Sequence, residues 1–249
     1  KSRREKNKVL FRKRKASAQF LNIPPQVITI WGPGGNNTAQ FSLKLAQELA
    51  KHAHVLLVEL PCLGIPRLSF ATNILDRNNH VEAALTEFWY KGKISLDYLY
   101  KMGDSLALLP ICAFANPDNP LTARVELDVL KKFPVHLINS ARQKGYGVVI
   151  LICQGQLTHP LTFFALKYAE RIIMPVSDPS TLAYSSLNIK KLVYTFKFPL
   201  EKFTVVASKY SEIISEVMWL KDERQEVMSI KVTSEQVEEI VSSFVKKAS

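Results

Sequence analysis

Six short, almost wholly apolar runs recur along the chain: Val27 to Trp31, Val55 to Val58, Leu106 to Leu109, Val148 to Ile152, Ile172 to Val176 and Phe203 to Ala207. They do not alternate with polar residues, as a half-exposed strand would. Runs of this kind predict strands buried on both faces of a parallel sheet. Between the first two, Phe41, Leu45, Ala46 and Leu49 recur at helical spacing within Thr38 to Lys51, which predicts a β-loop-α-β unit. Near the end, Ser234 to Val245 places Val237, Ile240, Val241 and Phe244 on one helical face, a stripe expected to pack on the core. Its Glu238 and Glu239 argue against a membrane-binding helix. Strands alternating with helices predict an α/β fold, a doubly wound and mostly parallel sheet with helices on both faces.

Asn22-Ile23-Pro24-Pro25 marks a stiff, non-helical boundary, because each proline fixes its own φ and restricts the residue before it. The expected division is a basic tail or linker over 1–25 and one α/β domain over 26–249. A chain of 249 residues, 47% of them apolar, suffices for one sizeable core. No apolar run approaches the roughly 20 residues that span a bilayer, so a soluble, cytoplasmic protein is expected.

The net charge of +11 changes meaning once it is located. Lys1, Arg3, Arg4, Lys6, Lys8, Arg12, Lys13, Arg14 and Lys15 against Glu5 give the first fifteen residues +8, leaving +3 for the rest. The basic signal belongs to the tail, which reads either as a solvated linker or as a non-specific contact for nucleic acid or for anionic lipid at the inner face of the membrane. Cys62, Cys112 and Cys153 are widely spaced beside apolar segments, and are read as reduced core or near-core thiols rather than as a metal or disulfide framework. His52, His54, His80, His136 and His159 form no ligand pattern.

The candidate chemistry lies at Gly32-Pro33-Gly34-Gly35-Asn36-Asn37-Thr38-Ala39, where a strand runs through glycines into a helix. Such a turn directs backbone N–H groups and a positive helix end at a ligand phosphate. A tight structural turn would use the same glycines. So would a damaged dinucleotide fingerprint, in which Glu59 at the end of the next strand would hold a ribose.

Set against the deviant Walker loop G-K-G-G-V-G-K-T-T, the segment resembles the MinD/ParA family. Gly32, Gly34 and Gly35 match without a gap, as do Leu45-Ala46 in the following helix and Val55 to Glu59 in the second strand. The resemblance implies a P-loop NTPase-like fold over the chain to about Leu192. It does not extend to the chemistry. Pro33 stands where the family has its signature lysine, Asn37 for the last glycine, Thr38 for the phosphate-binding lysine and Ala39 for the magnesium-binding threonine. Glu59 keeps an acid after the second strand, Pro61 replaces a further Asp, and Cys153 falls where the switch Asp should be when Pro160-Leu161-Thr162 is matched to P-L-T.

Phosphoryl transfer depends on lysine and Mg²⁺ to offset phosphate charge. The resemblance therefore implies a vestigial site with no catalytic residue, no metal and at most weak ATP or ADP binding. Leu106 to Pro110 leading to Asn116-Pro117-Asp118 is similar to the TadZ/CpaE branch of pilus-assembly proteins, whose Walker loops are often eroded. The expectation is a non-hydrolysing adaptor with protein partners in a Tad/Flp-type pilus or secretion apparatus, and a homodimer. The alternative is a ParA-like DNA-binding partition or conjugation protein with little or no ATPase activity.

Overall fold

The computed structural model describes residues 23–33, 38–62, 65–207, 232–234 and 237–244. Its centre is a sheet whose strands are β1 (Gln26–Trp31), β2 (Val55–Glu59), β3 (Tyr100–Lys101), β4 (Leu106–Leu109), β5 (Val148–Cys153), β6 (Arg171–Val176), β7 (Phe203–Ala207) and β8 (Val232–Ser234). The order is β3-β4-β2-β5-β1-β6-β7-β8, with β3 antiparallel and every other pairing parallel. All six apolar runs are strands. Every residue of β1, β2, β4 and β5 is buried, which explains their lack of alternation.

Helices cover both faces, as expected. One core cluster joins the sheet to α3 (Val81–Lys91), α4 (Leu127–Gln143), α5 (Pro160–Tyr168) and α6 (Pro179–Tyr194). The other joins it to α1 (Ala39–Leu49), α2 (Arg67–Thr72) and α7 (Val237–Ser242). Successive residues of β1 serve opposite layers: Val27 and Trp31 face the first cluster, Ile28 and Ile30 the second. The predicted stripe Phe41, Leu45, Ala46 and Leu49 is buried throughout. Ile240, Val241 and Phe244 also pack on the core, although the helix is shorter than the expected Ser234 to Val245 and Phe244 lies just past its end. Ile23 is already buried, three residues before the expected start of the domain.

β1 sits between β5 and β6. The chain leaves β1 toward β2 on one side and returns from β5 across β1 to β6 on the other. The carboxyl end of β1 is thus the point where strand order reverses, and open α/β sheets bind ligands at that crevice. Among the described residues no helix is long and apolar enough to cross a membrane.

Candidate functional site

The carboxyl ends of β1, β2 and β5 are drawn together by backbone and indole hydrogen bonds. Gly32 N–H donates to Cys153 O at 2.9 Å, Leu60 N–H to Ile152 O at 3.0 Å, and the Trp31 indole Nε1–H to Gly155 O at 3.0 Å. This lattice gathers Glu59, Pro61 and Cys153, the positions singled out by the resemblance, at the carboxyl edge of the sheet. Of the glycine loop, Gly32, Pro33, Thr38 and Ala39 are described, whereas Gly34, Gly35, Asn36 and Asn37 lie outside the described residues. The tail residues Arg3, Arg4, Arg12, Lys13, Arg14 and Lys15 lie outside them as well.

Thr38 occupies the N-cap of α1 at φ −107°, ψ 2°, yet its side chain makes no capping bond. Its carbonyl accepts from Ser42 N–H at 2.9 Å and from Ser42 Oγ–H at 2.7 Å. The residue is 1% exposed, and its Oγ1 is buried without a hydrogen-bond partner among the described residues. Ala39 follows with no side-chain oxygen. The position of a phosphate-binding lysine thus holds a short, buried hydroxyl.

Glu59 is fully buried. Leu68 N–H donates to both carboxyl oxygens at 3.1 and 3.0 Å, Ile111 N–H approaches Oε2 at 3.4 Å, and Gln154 Nε2 lies 3.1 Å from Oε1. Burial pushes the Glu59 carboxyl up to about 8, against the lowering effect of the Leu68 and Ile111 N–H groups. The side chain is a neutral tie between the end of β2, the first turn of α2 and the loops after β4 and β5. The dinucleotide alternative fails here, since a ribose cannot reach a carboxyl enclosed on every side.

Cys153 is buried, and burial pushes its thiol well above the ordinary range, with Cys62 beside it adding to the effect. A protonated thiol is a poor magnesium ligand, hard cations being bound by oxygen. The residues described at the three positions therefore do not fit a magnesium nucleotide held in the family manner. Position 38 offers no lysine, position 39 no hydroxyl, and the acid at Glu59 is enclosed and held toward its neutral form by burial.

All three cysteines carry free thiols, Cys62 and Cys153 buried and Cys112 half-buried. His80 caps α3, accepting from Ala83 N–H at 3.2 Å, and the His136 ring lies 4.6 Å from Phe88 between centroids. His159 Nδ1 is buried with no hydrogen-bond partner among the described residues. The Asn116 to Pro120 turn lies on the carboxyl edge as expected. With Pro61, Glu82, Cys112 and Leu121 it lines a pocket of about 190 Å³.

No protein-family model matches the chain, and no curated protein is detectably similar in sequence. Solved structures are similar in fold. A plasmid partition protein from Borrelia burgdorferi superposes with a TM-score of 0.61 at 16% identity, over 90% of this chain and 99% of that one. A ParA family ATPase from Chlorobium tepidum gives 0.56 at 14% identity, over 89% and 88% of the two chains. The fold is that of ParA- and MinD-type ATPases. The MinD of an Aquifex aeolicus MinC:MinD cell division complex gives 0.55 at 16% identity, over 88% and 85%. On a ParA/MinD-type sheet, the ends of β1, β2 and β5 are where the deviant Walker resemblance locates the phosphate loop and its two acidic positions.

Sequence reasoning reached Glu59, Pro61 and Cys153 through that resemblance but missed the partners that define their state. Gln154 is 95 positions from Glu59, and the Leu68 and Ile111 contacts are backbone groups, so no side-chain pattern could announce them.

Proposed function

We propose that this chain is a non-hydrolysing ParA/MinD-like positioning or assembly adaptor. The observation that carries the reading is the state of the three vestigial positions: a buried threonine hydroxyl at Thr38, a neutral and saturated Glu59, and a buried thiol at Cys153. A fold kept while its phosphate chemistry is replaced suits a protein that works through surfaces. ATP or ADP binding is weak in this reading and relies on backbone N–H groups alone. The loose similarity of Leu106 to Asp118 to the TadZ/CpaE branch favours a partner in a pilus or secretion apparatus.

Any homodimer forms through contacts other than a lysine reaching across the interface, because Pro33 stands at that position. The mass of the full chain in solution tests this. It should be the same with and without magnesium ATP, and assembly driven by ATP overturns the reading.

A second reading, a DNA-binding partition protein, is favoured by the +8 of the first fifteen residues. Removing residues 1–15 should then abolish DNA retention together with its salt dependence. Absence of retention by the full chain at low salt rejects it.

A further inference from the structure

Strand register, a proline turn, the lack of a side chain at Gly155 and a bond from Thr162 bring the two buried thiols to neighbouring positions at the end of β5. In the parallel register of β2 and β5, Glu59 lies opposite Ile152, so Leu60 sits beside Cys153. The chain then reverses at once. Cys62 N–H donates to Leu60 O at 2.7 Å, closing a three-residue turn with Pro61 at its centre. Proline's fixed φ suits the central position of such a turn. The turn folds Cys62 back over the end of β5. Gly155 makes room for it, since a Cβ there would stand 2.7 Å from Cys62 Cβ. Thr162, in the first turn of α5, donates from Oγ1 to Cys62 Sγ at 3.3 Å and fixes the sulfur at the helix N-terminus.

Hydrogen bonding from Cys153 holds the Cys62 thiol well below its ordinary range against the opposing effect of burial, and His159 and Thr162 reinforce it. Cys153 is displaced in the opposite sense. Geometry separates the two sulfurs as well: Cys62 Sγ receives the Thr162 hydroxyl at the N-terminus of α5, while Cys153 is enclosed at the end of β5.

We propose that Cys62 and Cys153 form a reversible thiol–disulfide pair in which Cys62 is the nucleophile and Cys153 the resolving thiol, with a hydroperoxide as oxidant. In the first step the Cys62 thiolate attacks one peroxide oxygen. The O–O bond breaks, hydroxide leaves and takes up the proton that Cys62 released, and Cys62 becomes a sulfenic acid. In the second, the Cys153 sulfur attacks the Cys62 sulfur, the S–O bond breaks, and the hydroxyl departs as water with the Cys153 proton. Two thiols are oxidised by two electrons in all, and one hydrogen peroxide becomes two waters. The bond would tie the β2–α2 connection to the β5–α5 connection across the crevice.

Full-length chain, freed of reductant and treated with equimolar hydrogen peroxide, is alkylated under denaturing conditions and read by peptide mass spectrometry. A Cys62–Cys153 cross-linked peptide is expected, lighter by two hydrogen atoms than the sum of its parts and reversed by dithiothreitol. Cys112 should remain alkylated. The cross-link should form about tenfold faster in the folded chain than in guanidinium, because thiolate character and proximity are properties of the fold. Cys153→Ser should halt Cys62 at a sulfenic acid that dimedone traps, whereas Cys62→Ser should leave Cys153 a thiol. Oxidation of Cys112 ahead of Cys62, or equal rates of cross-linking in the folded and unfolded chain, overturns the proposal.

Discussion

Gln154 Nε2 lies 3.1 Å from Glu59 Oε1, with both side chains buried and 95 positions apart in the chain. The carboxyl is protonated at neutral pH, so its O–H requires an acceptor. Gln154 Oε1, on the same side chain, is buried without a hydrogen-bond partner among the described residues. Rotating the amide by half a turn places that oxygen against the Glu59 O–H and leaves Nε2 in the unpartnered position, an exchange of O and N that the protonation state of Glu59 decides. The pair is then a neutral clasp between the ends of β2 and β5.

Stability should fall as pH rises because of Glu59. Its carboxyl ionises near 4.5 in the unfolded chain and at about 8 in the folded one. The folded state thus holds the proton more tightly. The contribution is fully present below the unfolded value and is lost as pH rises through the folded one. At roughly 1.4 kcal/mol per tenfold change in proton affinity, the whole effect is on the order of 5 kcal/mol. Denaturant midpoints measured from about pH 5 to about pH 9 should decline in the native chain and decline less in Glu59→Gln. A midpoint that is flat or rises over this range contradicts the buried, neutral acid.

Gly155→Ala should destabilise the chain by about 1–3 kcal/mol through overpacking. The added Cβ would stand 2.7 Å from Cys62 Cβ and 2.8 Å from Thr162 Oγ1, neither of which is the end of a long flexible side chain. Urea denaturation measures the loss.

Asp178→Ala should cost about 1 kcal/mol. Asp178 accepts from Thr181 N–H at 2.9 Å, while Thr181 Oγ1 accepts from Asp178 N–H at 3.2 Å, a reciprocal cap on α6. Hydrogen bonds from Ser180 Oγ and Thr181 N–H hold its carboxyl down at about 2, so the cap persists at any pH where the fold is stable. The corresponding change at Thr38, whose side chain makes no capping bond, should cost less. Comparing the two variants by thermal denaturation tests the contrast.

The parts of the fold that were legible in the sequence are those in which one physical pattern dominates. β1, β2, β4 and β5 are buried on both faces, so uninterrupted apolar runs announced them, and α1 buries a stripe of regular period. β3 escaped because Tyr100 and Lys101 are exposed and form an edge of only two residues with no apolar signal. α2 escaped because it is short and anchored through the Glu59 carboxyl on Leu68 N–H. At the site, Pro33, Thr38, Ala39 and Cys153 were singled out as departures from the deviant Walker pattern that the segment resembles. The contacts around them were not legible. The Glu59–Gln154 clasp and the approach of Cys62 to Cys153 arise from strand register and a proline turn, which join residues far apart in sequence.

Turnover of magnesium ATP by the purified full chain tests the central claim most directly. Phosphate release should be no greater than from Thr38→Ala or from buffer, since the described site offers no lysine at position 38, no hydroxyl at position 39 and no ionised acid at Glu59 or Cys153. Magnesium-dependent release that Thr38→Ala abolishes would contradict the account.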